Sequence, residues 1–167
     1  MDKELNTLSA RLGAALLARG ETMATAESCT GGMIAAALTD IAGSSSWFGY
    51  GMVSYSNQAK QDLLGVSAAT LEAHGAVSEA VVREMAAGAR QRAAADWAVA
   101  VSGVAGPGGG SPEKPVGMVW LAVAGPDGCS RAGVSYFAGD RAAVRRQTVI
   151  AALNTVLEML AGQPLSA

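Results

Sequence analysis

Four stretches of the sequence combine residue types where chemistry could sit. The first is Ala26-Glu27-Ser28-Cys29-Thr30-Gly31-Gly32, set between a strand-like segment and a helix-like one. A hydroxyl on such a junction is lifted out of a sheet, and the helix that follows offers unpaired N–H groups and a positive dipole end. Those N–H groups are what an oxyanion needs, which makes Ser28 a candidate nucleophile and Cys29, Thr30, Gly31 and Gly32 candidate contacts to the reacting group. Gly31 and Gly32 also let a ligand approach the backbone closely. The G-x-S-x-G elbow of serine hydrolases does not match, because Ala26 and Thr30 stand at its glycine positions. Cys29 is a rival nucleophile, since a thiol at a helix N-terminus is expected to ionise more readily. The plain alternative is that Ser28 or Thr30 only caps the helix.

The second stretch is Tyr55-Ser56-Asn57-Gln58-Ala59-Lys60. Tyr55 ends a strand and Lys60 sits in the first turns of a helix, so both can face one end of the sheet. A lysine among Ala, Leu and Gly neighbours loses its proton if it is desolvated and then serves as a general base; a solvated surface charge is the ordinary alternative. The third, Ser102-Gly103-Val104-Ala105-Gly106-Pro107-Gly108-Gly109-Gly110-Ser111, follows the most apolar strand. It is neither a P-loop nor a GxGxxG turn, yet Ser102, Gly103, Gly106 and Gly108 can cradle an anion with backbone N–H groups or form a lip over a pocket. A bare surface connection would have the same composition. The fourth stretch puts Arg141, Arg145 and Arg146 in the opening turns of the last helix, where they oppose the dipole unless an anion sits there or water screens them. His74 is the only histidine, and it ends a helix rather than completing a triad. No His/Cys/Asp/Glu cluster has metal-ligand spacing, so neither a metal nor a cofactor is expected.

Composition bounds the classes. The 167 residues suit one domain, expected over 1–167, with a core that needs no disulfide. Half of the residues are apolar and 16% are charged, which excludes a disordered chain. A net charge of −2 with no basic stripe argues against a nucleic-acid partner. No apolar run reaches the length of a membrane span, and the polar start Met1-Asp2-Lys3-Glu4 does not open a signal peptide. Cys29 and Cys129 form no CxxC, so free thiols in a cytoplasmic setting are expected.

The elements that must position these residues follow from periodicity and punctuation. Helices are expected over 4–19, ended by Gly20; from Gly31-Gly32 to 39; over 57–64, capped by Ser56 and stopped by Gly65; from Ser67 to His74; from Ser78 to about 94; and from Asp140 to about 160. Strands are expected over 22–26, 47–55, 96–102, 116–124 and 131–137, with Pro126-Asp127-Gly128 as a hairpin turn. Alternation early and an antiparallel pair late favour an α/β fold, a three-layer α/β/α sandwich with a mixed sheet.

Together the segments resemble the CinA C-terminal domain family. The resemblance rests on the run from Thr25 to Gly32, on Ile41-Ala42-Gly43-Ser44-Ser45, Val53-Ser54-Tyr55-Ser56-Asn57-Gln58-Ala59-Lys60 and His74-Gly75-Ala76-Val77-Ser78, and on Ser102-Gly103-Val104-Ala105-Gly106-Pro107, Glu113-Lys114-Pro115-Val116-Gly117 and Gly139-Asp140-Arg141. It spans residues 5 to 160 and looks like a stand-alone member without the N-terminal domain of longer relatives. It implies deamidation of nicotinamide mononucleotide in pyridine-nucleotide salvage, with Ser28 as nucleophile, Lys60 as its base and Tyr55 as a helper. Arg141, Arg145 and the loop 106–111 are then the candidates for the 5′-phosphate. A homodimer is expected from the resemblance and the alanine-rich helical faces. The competing expectation is a nucleotide-binding or regulatory module that turns nothing over.

Overall fold

Large and small side chains alternate along the central strands, and that alternation decides how the layers stack. In the computed structural model, which describes residues 2–163, the first strand β1 is Met23–Glu27 and the third, β3, is Trp97–Gly103. Successive side chains of a strand point to opposite faces. Met23, Trp97, Val99 and Val101 therefore go to one face, and Ala24, Ala26, Ala98 and Ala100 to the other. The bulky face is covered by α1 (Lys3–Arg19), α2 (Met33–Thr39) and α6 (Arg141–Gly162), through Leu12, Leu16, Ile34, Leu38, Val149 and Leu153. The alanine face receives α3 (Asn57–Leu64), α4 (Ala68–His74) and α5 (Glu79–Ala93), through Leu64, Leu71, Val82 and Met85.

Small residues let this second layer sit close. A methyl group built on Gly88 of α5 would lie 1.8 Å from the Leu64 carbonyl oxygen of α3, so only glycine fits there. The sheet is completed by β2 (Phe48–Val53), β4 (Met118–Ala124) and β5 (Ser130–Tyr136) in the order β2-β1-β3-β4-β5. β1 pairs in parallel with β2 and β3, whereas β3–β4 and β4–β5 are antiparallel. This is the expected α/β/α sandwich with a mixed sheet. The domain expected over 1–167 reaches beyond the description only at residues 1 and 164–167, which lie outside the described residues.

The caps fall where the sequence puts them. Ser56, Ser67, Ser78 and Asp140 each accept a hydrogen bond from an N–H in the first turn that follows, and Asp2, for which no cap was expected, does the same for α1. The strand expected over 116–124 starts at Met118 and others move by one residue, and two shifts bear on the site. The second helix begins at Met33 rather than at Gly31-Gly32, because both glycines have positive φ, 58° and 105°, and belong to the turn before it. The second strand ends at Val53 rather than at Tyr55: the Ser54 N–H still bonds the Glu27 carbonyl, and the chain then leaves the sheet so that Ser56 can cap α3.

Exchanging an interior helical glycine for alanine ordinarily stabilises a helix. Gly88→Ala should reverse that sign and destabilise by roughly 1–3 kcal/mol, because the added methyl has to displace backbone. Urea unfolding of the variant checks this, and a stabilised protein would contradict the close packing of α3 on α5.

Candidate active site

The parallel part of the sheet determines where a site can lie. β1 is central, with its sequence neighbour β2 on one side and β3 on the other, so a crevice opens beyond the carboxyl ends of β1 and β3. Ser28 follows the last residue of β1, and its N–H bonds the Val101 carbonyl of β3. The two-residue period then sorts the side chains. Glu27 falls on the face of α2, whereas Ser28 falls on the face of α3, where Lys60 waits.

Lys60 is 1% exposed, and its Nζ donates to Ser28 Oγ at 3.0 Å and to the Ser54 carbonyl at 2.8 Å, with the Tyr55 carbonyl at 3.5 Å. Among the described residues it enters no ion pair. Burial without a counter-charge pushes its pKa below the ordinary 10.5. An ammonium has three hydrogens to donate, but the neutral amine has two and a lone pair. With both hydrogens on the two carbonyls, the lone pair is left for the Ser28 hydroxyl. Lys60 is therefore a buried amine in contact with the serine, not a solvated helical charge.

Glu27 is the residue that motif reasoning passed over. It is fully buried, and its carboxylate accepts from Thr30 Oγ1, from the Ile34 N–H at 2.9 Å and from the Ala35 N–H at 3.0 Å. It thereby takes up the orphan donors at the start of α2 and anchors the turn that carries Ser28. The signal for it was an acidic residue closing an otherwise apolar strand just before a helix. Thr30 points into this anchor and does not reach the cleft. A methyl group on Gly31 or Gly32 would meet Arg145 or Val53, and the positive φ of both glycines shapes the turn.

Cys29 lines the cleft, yet its thiol is pushed up to about 11, first by burial and then by the charge of Glu27. That reverses the expected lowering at a helix start, because desolvation of the thiolate outweighs the dipole, and it favours Ser28 over Cys29. Tyr55 has a 62% exposed side chain, and its hydroxyl accepts from Arg141 at 3.2 Å, so its contact with Lys60 runs through the main-chain carbonyl alone.

The cleft beside Ser28 has a volume of about 330 Å³ and is also lined by Tyr55, Lys60, Ser102, Gly103, Gly106, Gly108 and Arg141. Asn57, Ala76 and Val77, which the sequence did not single out, complete its wall. A neighbouring hollow of about 670 Å³ shares Ala105 and Arg141 and is bounded by Asp140 and Arg145. The glycine-rich lip is fastened to the α4 end by Lys114, whose Nζ donates to the His74 carbonyl.

The three arginines of α6 divide. Arg141 donates to the Gly106 carbonyl and to Tyr55, facing the cleft. Arg145 donates to the Cys29 and Thr30 carbonyls, both at 3.1 Å. Arg146 pairs with Asp2 and Glu4 and ties α6 to the start of α1, which holds the Asp2 carboxyl down to about 2.

The site is thus a strand-end serine in contact with a buried lysine, at the carboxyl ends of parallel strands in a mixed α/β/α sheet. Residues 5–160 match the family described as CinA C-terminal domain, and the chain belongs to that family. It is 58% identical over 156 residues to the nicotinamide-nucleotide amidohydrolase PncC of Enterobacter agglomerans, covering 93% of this chain and 95% of that one. It is 57% identical to the protein of the same name from Escherichia coli strain K12, over 93% and 94% of the two chains. Among solved structures, the competence/damage inducible protein CihA of Agrobacterium tumefaciens superposes with a TM-score of 0.92 at 44% identity, covering 95% of this chain and 97% of that one. Among the described residues no helix is long and apolar enough to cross a membrane.

A buried lysine lowers stability while its unfolded counterpart stays protonated. Because the folded pKa is depressed, the unfolded state binds more protons up to pH 10.5, and wild-type stability should rise with pH through that window. Lys60→Met should accordingly melt higher than wild type at neutral pH, with the gap closing as pH approaches 10.5. Calorimetry at several pH values checks this, and a gap independent of pH would contradict a depressed Lys60.

Proposed function

We propose that this chain hydrolyses the carboxamide of nicotinamide mononucleotide to nicotinate mononucleotide and ammonia, with Ser28 as nucleophile and Lys60 as general base. The observation that carries the reading is the 3.0 Å contact between a buried, charge-unpaired Lys60 amine and Ser28 Oγ. The names of the two amidohydrolase relatives supply the substrate.

Ser28 Oγ attacks the carboxamide carbon while its proton passes to Lys60 Nζ. The carbonyl oxygen becomes an oxyanion beside the N–H groups of Cys29 and Thr30. The Lys60 ammonium then protonates the amide nitrogen, the C–N bond breaks, ammonia leaves, and an ester to Ser28 remains. Water attacks that ester, giving its proton to Lys60. As the tetrahedral intermediate collapses, Ser28 Oγ recovers the proton and nicotinate mononucleotide is released. The proton inventory closes on Lys60 and Ser28, as in other variants of the serine–base pair.

Tyr55 supports Lys60 through its carbonyl and forms a wall of the cleft with its ring. Arg141, facing the cleft beside the lip 106–111, is the arginine suited to the 5′-phosphate. The reaction belongs to pyridine-nucleotide salvage in the cytoplasm, a setting in which the two cysteines, Cys29 and Cys129, stay free thiols. A homodimer is supported by apolar residues exposed on the two edge strands, Tyr50 and Val53 on β2 and Val134 and Tyr136 on β5.

Purified wild type should release ammonia from nicotinamide mononucleotide, and folded Ser28→Ala should release none. Cys29→Ala should stay active. As Lys60 must be neutral to act, kcat/KM should climb with pH through the depressed lysine pKa and level off below 10.5. Activity in Ser28→Ala, or a flat profile from about pH 6 to about pH 10, would sink the mechanism.

A further inference from the structure

The turn after β1 presents three carbonyls in succession, and each of them is taken. The Ser28 carbonyl accepts from the Gly31 N–H at 3.0 Å, and the Thr30 carbonyl accepts from the Met33 N–H at 3.1 Å. Arg145 supplies the remaining bonds from the opposite layer of the sandwich, with Nε on the Cys29 carbonyl and Nη2 on the Thr30 carbonyl. Its partners lie 116 and 115 residues away in sequence.

A trans peptide places its N–H opposite its C=O, so a held carbonyl fixes the direction of the N–H in the same plane. Holding the Cys29 carbonyl therefore aims the Thr30 N–H. Holding the Thr30 carbonyl aims the Gly31 N–H, which secures the Ser28 carbonyl and through it the plane of the Cys29 N–H. Among the described residues, the Cys29 and Thr30 N–H groups bond no carbonyl or other residue's side chain, the Cys29 N–H reaching only its own thiol. Two such donors on successive peptide planes make a backbone nest for an anion.

The planar guanidinium suits this work. Its donors lie in a rigid fork that can hold two carbonyls at once, which one ammonium cannot do with the same geometry. Both donors are committed to the turn, while Arg141, one helical turn earlier, faces the cleft.

We propose that Arg145 is a positioning residue of the hydrolytic site, one that fixes the peptide planes of the nucleophile turn so that the Cys29 and Thr30 N–H groups receive the oxyanion, and that it is not a ligand of the substrate's phosphate. The inference rests on the reading of the preceding subsection and deepens it. It assigns to Arg145 the kcat side of the reaction and leaves ground-state binding of the nucleotide to Arg141.

The test is steady-state ammonia release by wild type, R145K and R141K, each shown to be folded by its melting curve. R145K should lose roughly 10- to 100-fold in kcat. Its KM for nicotinamide mononucleotide should stay within about 2-fold of wild type, and its pH midpoint should not move. R141K should instead raise KM. A raised KM with intact kcat in R145K, or wild-type kinetics, overturns the proposal; R145Q takes the place of R145K if the lysine variant does not fold. Silence from wild type would end the amidohydrolase reading alone. Labelling of Ser28 by a fluorophosphonate then tests Arg145 independently, since the phosphonyl oxygen needs the same donors. That labelling should be roughly 10-fold slower in R145K, and equal rates would overturn the inference.

Discussion

An uncompensated amine in the protein interior is the constraint around which this molecule is organised. Lys60 has no carboxylate partner among the described residues, and its polar contacts are two main-chain carbonyls and the Ser28 hydroxyl. Such a group lowers stability, since desolvation of the ammonium is not repaid by a counter-charge. A carboxylate beside it would remove that penalty and would also hold the lysine protonated, which the proposed mechanism does not allow. The Ser54 and Tyr55 carbonyls are neutral acceptors that orient the amine without contributing a full negative charge.

The remainder of the architecture brings the serine to that amine. Strand alternation sends Glu27 to one face and Ser28 to the other, so a single peptide step separates the anchor of the turn from its reactive group. The anchor and the nucleophile belong to different layers. Glu27 and Arg145 work on the side of α2 and α6, and Lys60 approaches from α3. Alanines on the β1 and β3 face, with Gly88 on α5, let the α3–α5 layer come close enough for the lysine to reach. The turn itself needs two positive-φ glycines to bring its N–H groups round beside Ser28.

Much of this arrangement is legible in the sequence, and the exceptions share a cause. The caps Ser56, Ser67, Ser78 and Asp140 and the stops Gly20 and Gly65 are local signals, and the helices begin and end with them. The Ser28 and Lys60 pair is legible as well, once each is placed at the same end of the sheet. What could not be read was direction across the fold. Nothing local to Arg145 says that its guanidinium turns to carbonyls on another element while Arg141 faces a cleft and Arg146 an N-terminal carboxylate. A glutamate in a strand carries no sign that helix N–H groups will meet it. The acidity of Cys29 depended on burial against a helix start, and the degree of burial is a tertiary property.

The central claim is that Lys60 is a neutral base at working pH, and the composition makes it directly measurable. Lys3, Lys60 and Lys114 are the only lysines, so a 13C-labelled lysine sample gives three side-chain signals to follow with pH. The account predicts that the signal lost in a Lys60 substitution titrates below 10.5. A Lys60 signal titrating at 10.5 or above would mean that the amine is protonated when the serine needs a base, and would contradict the mechanism built on it.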